Sequence, residues 1–162
     1  MLLFAVDPGT EQSALLVYDL LTARIRESDT LPNDQVLLQL TGGPCGVLVV
    51  EQIESYGMAV GAETFRTVWW AGRFHQAWPG PAYQLPRRAV KLHLCHSVRA
   101  TDANVRQAIL DRFSGGLGKA VAVGTKAQRG PLYGLKGHEY AALAVALTWA
   151  DTHSELHTHE QG

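Results

Sequence analysis

Two stretches of this chain are apolar without a break, and each runs into an acid: LLFAVD at residues 2–7 meets Asp7, and GVLVVEQ at 46–52 meets Glu51. Neither run alternates polar and apolar residues, so neither suits a sheet with one wet face. Continuous Val/Leu runs of this length predict strands covered on both faces, which belong to a parallel sheet between layers of helix. The fold class is therefore α/β. Between the two runs, Pro8 and Gly9 turn the chain and residues 13–19 return as a hairpin partner. ARIRESDTL (23–31) alternates weakly and reads as a third, more exposed strand; PNDQVLLQL (32–40) reads as a short helix with Pro32 near its start. A hairpin and a helix are enough chain for a crossover, so the two apolar strands are expected side by side and parallel. Asp7 and Glu51 then meet at the carboxyl ends of neighbouring strands, where open α/β sheets place their sites.

Downstream, GAETFRTVWWAGRFHQAW (61–78) predicts a helix with two apolar stripes. Phe65, Val68, Trp69 and Gly72 form one, expected to face the core; Trp70, Phe74, Ala77 and Trp78 form the other, expected to face a partner. Residues 82–85 suit a short strand and 87–94 a short helix. Residues 101–113 predict a helix capped by Thr101 or Asp102. The Gly- and Lys-rich segment 114–137 holds at most a short strand at 120–123, and 138–151 predicts an Ala/Leu-rich final helix.

A chain of 162 residues suits one domain, here 1–151, with a polar, flexible tail at 152–162. No apolar run approaches the roughly 18–20 residues of a membrane span. The first residues have no basic flank and meet Asp7 early, unlike a signal peptide. Two isolated cysteines, Cys45 and Cys95, fit a reducing compartment. A cytoplasmic protein with no membrane partner is expected. Net charge is −1, but residues 61–136 carry twelve Lys/Arg against three acids, which leaves the remainder strongly acidic. Such asymmetry suits a basic nucleic-acid surface beside an acidic site.

Asp7 and Glu51 would repel each other if both were ionised and buried. A divalent cation between them removes the repulsion, and magnesium favours such oxygen donors while keeping several waters. His138, at the start of the last helix, is placed to reach the same site. Glu139 follows it about 100° further round the helix and otherwise serves the helix dipole. Asp102 is either a helix cap, an extra ligand or an orienter of a nearby Lys or Arg. LHLCH (92–96) matches no zinc spacing.

The strand ending in DPGT, the strand ending in VVEQ and the helix HEYAALAVALTWA together resemble the RuvC-type Holliday junction resolvases of the RNase H-like, retroviral-integrase superfamily. RRAVKLHLCHSVRATDANVRQAILDRF and GPLYGLKGHEYAALAVALTWAD resemble its phage and prophage branch, and the likeness spans about residues 2–151. The resemblance implies an RNase H-like fold, a mixed five-stranded sheet flanked by helices. It implies a homodimeric endonuclease that nicks four-way DNA junctions symmetrically, in a bacterial host cytoplasm if phage-encoded. Two Mg²⁺ ions per site are implied, with Mn²⁺ able to substitute, held by Asp7, Glu51, His138 and a residue one turn further on. That last place falls on Ala141, which has no donor atom, so Glu139, Asp102 or water stands as the fourth ligand. Tyr56 is the candidate for stacking on junction bases, and Lys91, Arg99, Arg106, Lys126 and Arg129 for holding phosphates. No nucleotide cofactor is expected. The DPGT turn also resembles the phosphate loop of actin/hexokinase-like ATPases, but a second such domain and loop are missing from these residues. A catalytically inactive branched-DNA-binding relative is the remaining alternative.

Overall fold

The computed structural model describes residues 1–43 and 45–153. Five strands form one sheet in the order β3-β2-β1-β4-β5. They are β1 (Leu2–Asp7), β2 (Gln12–Asp19), β3 (Arg24–Pro32), β4 (Val47–Gln52) and β5 (Ala82–Pro86). β1, β2 and β3 pair antiparallel, whereas β1–β4 and β4–β5 are parallel. The sheet is therefore mixed, and its two apolar strands lie at the centre as their composition requires. The helices are α1 (Asn33–Thr41), α2 (Ala62–Ala77), α3 (Arg87–Cys95), α4 (Asp102–Ser114), α5 (Lys119–Val123) and α6 (Glu139–Thr152).

Side chains alternate across each strand and divide the core in two. Phe4, Val6, Leu15, Val17, Leu48 and Val50 pack under α1 and α2 with Val36, Leu40, Phe74 and Trp78. On the opposite face Leu3, Ala5, Leu16, Val47 and Val49 pack under α6, with α3, α4 and α5 around it. From Glu139 to Trp149, α6 is buried at every position except Ala141. A helix apolar on all sides is a central core helix, and α6 touches four of the strands as well as α3 and α4.

The two stripes of α2 are the reverse of the expectation. Phe74 is fully buried, and Trp78 is 6% exposed and packs at a tilt against Phe4 with ring centroids 4.7 Å apart. Phe65 and Trp69 are 65% and 58% exposed. Both stripes satisfy helical spacing, and the tilt of α2 against β4 and α1 decides between them. The strand expected at 120–123 is instead the short helix α5. Gly118 and Gly124, both at positive φ, bracket it, and its Ala122 packs into the core. Helix α4 is capped by Thr101, whose hydroxyl accepts from Asn104 N–H, rather than by Asp102. Cys45 and Cys95 are free thiols. Most of the predicted tail, from residue 154 on, lies outside the described residues. Among those residues no helix is long and apolar enough to cross a membrane.

Candidate active site

The register of the central strands builds the site. In the parallel pair, Leu3 to Val6 lie beside Val47 to Val50. One step further are Asp7 and Glu51, and the two-residue side-chain period turns both towards the α6 face, with Leu3, Ala5, Val47 and Val49. A one-residue slip would send either acid to the other layer.

The turn after Asp7 is fixed by a small buried network. Gly9 N–H donates to Ser13 Oγ (3.0 Å), Ser13 Oγ–H donates to Asn33 Oδ1 (2.6 Å), and Asn33 Nδ2 donates back to Gly9 O (3.0 Å). A Cβ at position 9 would fall 2.2 Å from Gln12 O, so only glycine fits there. At the other side, Gly137 adopts a φ of +51° immediately before His138 and α6.

Asp7 and Glu51 are both largely buried, and their carboxyl groups interact directly. Burial holds both above the usual carboxylate range. For Glu51 the charge of Asp7 adds to the rise, and Arg87 opposes it. Oε1 of Glu51 is buried and accepts no hydrogen bond. Arg87 Nε stands 3.5 Å from it, at ion-pair distance. His138 Nδ1 lies 3.1 Å from Asp7 Oδ2, and the imidazole is 79% exposed. Two carboxyls in contact and an accessible imidazole together fit a divalent cation. The described residues contain no ready-made cluster of three or more His, Cys, Asp or Glu, so a cation here completes its shell with water or substrate.

The other expected ligands divide. Glu139 is turned away from the pair and is buried: its Oε2 accepts from Ser28 Oγ–H (3.2 Å) and Lys136 N–H (3.3 Å), tying α6 to β3. Those bonds and the helix N-terminus satisfy it. Asp102 is exposed, but it accepts from Arg87 Nη2 at 2.8 Å and lines a small cavity with Glu51, Arg87 and Lys91. Ala141, the position of α6 one turn after His138, lines that cavity too, with only a methyl group.

The expected DNA-contacting residues lie on α3 and α4 and on the segments after β4, α3 and α5. Lys91 lines the cavity beside Glu51. Arg106 lies over the Tyr140 ring (4.4 Å) and Arg129 over Tyr133 (4.9 Å). Arg99 and Lys126 are exposed. Tyr56 is 60% exposed with Arg88 5.9 Å from its ring centroid, and its hydroxyl donates to Glu54 (2.7 Å). Sequence reasoning missed Arg87 as part of the site. The available signal was its place directly after Pro86, which pairs with Gln52, the neighbour of Glu51.

No protein-family model matches this sequence, and no curated protein matches it. Solved structures do. Thermus thermophilus RuvC superposes with a TM-score of 0.62 at 21% identity, covering 91% of this chain and 92% of its own. T. thermophilus RuvC in complex with Holliday junction substrate gives 0.61 at the same identity and coverage. The chain therefore has the RuvC-like form of the RNase H-like fold.

Proposed function

We propose that this protein is a Mg²⁺-dependent, structure-selective DNA endonuclease that resolves four-way junctions. The observation that carries the reading is the buried Asp7–Glu51 pair, with His138 against it, at the carboxyl edge of a sheet whose fold matches RuvC, including RuvC in complex with a Holliday junction. Bound there, Mg²⁺ lowers the pKa of an attacking water and stabilises charge on phosphoryl oxygens, and Mn²⁺ has the same donor preference.

The protein's own residues do the rest. Asp7 and Glu51 hold the cation between rigid strands, and the Ser13–Asn33 network keeps Asp7 in place. The exposed His138 ring ligates or carries a proton at Nδ1. Lys91, Arg99, Arg106, Lys126 and Arg129 bind phosphates, so affinity falls steeply with salt. Tyr56 offers a face for an unstacked base. The sequence likeness supports a phage or prophage origin and action in a bacterial cytoplasm.

Symmetric nicking needs two sites, and we assign a homodimer through the exposed face of α2: Phe65, Val68 and Trp69. Burying such side chains is worth roughly 1.5–3 kcal/mol each before association costs. Trp69→Lys is expected to give a monomer by sedimentation with an unchanged circular dichroism spectrum. A surviving dimer assigns the interface elsewhere.

Incubation of a synthetic four-way junction with Mg²⁺ tests the whole reading. Paired nicks on strands of like polarity, absent in EDTA, are the expected result. Tight junction binding without nicks would favour the inactive binding relative, which the donor-free Ala141 recommends.

A further inference from the structure

The wall of the site opposite Asp7 has an unusual charge arrangement. Arg87 opens α3 beside Glu51, with Nε 3.5 Å from Glu51 Oε1 and Nη2 2.8 Å from Asp102 Oδ1. The guanidinium is thus clamped between a carboxylate on β4 and one on the first turn of α4. Facing it across the same cavity are the apolar side chains of Ala141 and Ala144 from α6, and Lys91 adds a second cationic residue to the lining. On the Asp7 side no guanidinium or ammonium stands at ion-pair distance among the described residues; His138 reaches Asp7 from an exposed position.

A divalent ion can therefore be held in one place and not in the other. Between Asp7, Glu51 and His138 it meets two carboxyl groups and an imidazole. On the far side of Glu51 it would meet two carboxylates, Glu51 and Asp102, both already facing the Arg87 guanidinium, a methyl group where a donor would be needed, and a second cationic side chain close by. Arginine does not lose its charge in proteins, and its planar fork fits phosphate oxygens. Two positive centres flanking a reacting phosphate are a recurring need, because one serves the attacking oxygen and the other the leaving oxygen.

We infer that this chain takes up one divalent cation per site, and that Arg87, held in position by Asp102, supplies the second positive centre in place of a second ion. The inference rests on the nuclease reading above and deepens it. Arg87 is the group that touches the phosphate; Asp102 is a positioning residue that acts through it.

Calorimetric titration of the metal-free protein with Mn²⁺ at neutral pH gives the direct test, with no dependence on turnover. One equivalent per chain is expected for the wild type. The double variant Arg87→Gln/Ala141→Asp removes the cation and adds a carboxylate, and it is expected to bind a second equivalent. In cleavage assays Arg87→Gln is expected to lose roughly 10²–10³-fold in rate, as for loss of one transition-state donor, while its Mn²⁺ stoichiometry stays at one. Asp102→Asn is expected to lose roughly tenfold, also with one equivalent bound. Two wild-type equivalents of similar affinity would overturn this inference and leave the nuclease reading standing. Wild-type cleavage by Arg87→Gln would likewise overturn it. No Mn²⁺ binding at all would overturn both. Should the double variant fail to fold, the wild-type stoichiometry still decides.

Discussion

Asp7 and Asp19 stand at the ends of paired central strands, at opposite poles of the sheet, and the fold treats them in opposite ways. Asp19 ends β2 and is compensated by its own hairpin. It accepts from the N–H groups of Leu21 and Thr22 and from the Arg26 guanidinium, which foremost holds its carboxyl well below the usual range. Asp7 ends β1 beside Glu51, and burial drives both carboxyls the other way while one oxygen of Glu51 accepts nothing. A carboxylate that its neighbours satisfy is part of the architecture. A pair left in mutual repulsion is where the proposed cation would bring relief, as expected of a site that trades stability for function.

The largest expected contrast is in cleavage. Asp7→Asn should reduce junction nicking by more than about 10³-fold, on the scale of losing a group that acts only in the transition state. Junction affinity should hold or rise slightly, because the basic residues proposed to bind phosphate are distributed elsewhere. Asp19→Asn should leave the nicking rate within a few-fold. Cleavage at the wild-type rate by Asp7→Asn, measured on a labelled four-way junction, would remove the assigned site.

In stability the order reverses. Glu51→Gln should stabilise the metal-free protein by about 1–2 kcal/mol, the scale of a relieved buried polar group, whereas Asp19→Asn should lower its melting temperature. The pH dependence follows from the signs. Glu51 and Asp7 have raised values in the folded state, so the fold binds more protons than the unfolded chain. Their contribution is present below the ordinary carboxylate range near 4 and is lost as pH climbs towards neutrality. Asp19 is lowered when folded; its contribution is present above that range and is lost in acid. The advantage of Glu51→Gln over wild type should therefore grow between pH 5 and pH 8. A constant advantage would show that the pair is not strained by charge.

Another buried carboxylate sharpens the comparison with the smallest effect. Glu139 is satisfied by Ser28 and Lys136 N–H, like Asp19, although it follows His138 in sequence. Glu139→Gln should cost about 1 kcal/mol of stability and change cleavage only a few-fold. A loss comparable to that of Asp7→Asn would return Glu139 to the ligand set.

The central sheet and the Asp7–Glu51 contact were legible because unbroken apolar runs predict parallel neighbours and the strand period then fixes which face each acid takes. His138 followed from its place at the head of a helix too apolar to lie anywhere but the core. The orientation of α2 was not legible: Phe65/Trp69 and Phe74/Trp78 obey helical spacing equally well, and only packing against Phe4 selects the second pair. Arg87 was hidden for a related reason. Its partners, Glu51 and Asp102, lie 36 residues before it and 15 after it in the sequence, and only the parallel β4–β5 pairing and the packing of α4 bring the three together. Charge counting saw a basic middle segment but could not separate the arginine drawn into the acidic site from those left on the surface.

The most direct measurement is the melting temperature of wild type, Glu51→Gln and Asp19→Asn near pH 8, each with and without millimolar Mg²⁺. Binding to the folded state alone raises stability by mass action. Mg²⁺ should raise the melting temperature of wild type and of Asp19→Asn by a similar amount, and that of Glu51→Gln by little or nothing. An equal rise in all three, or none in wild type, would contradict the assignment of the Asp7–Glu51 pair as a cation site.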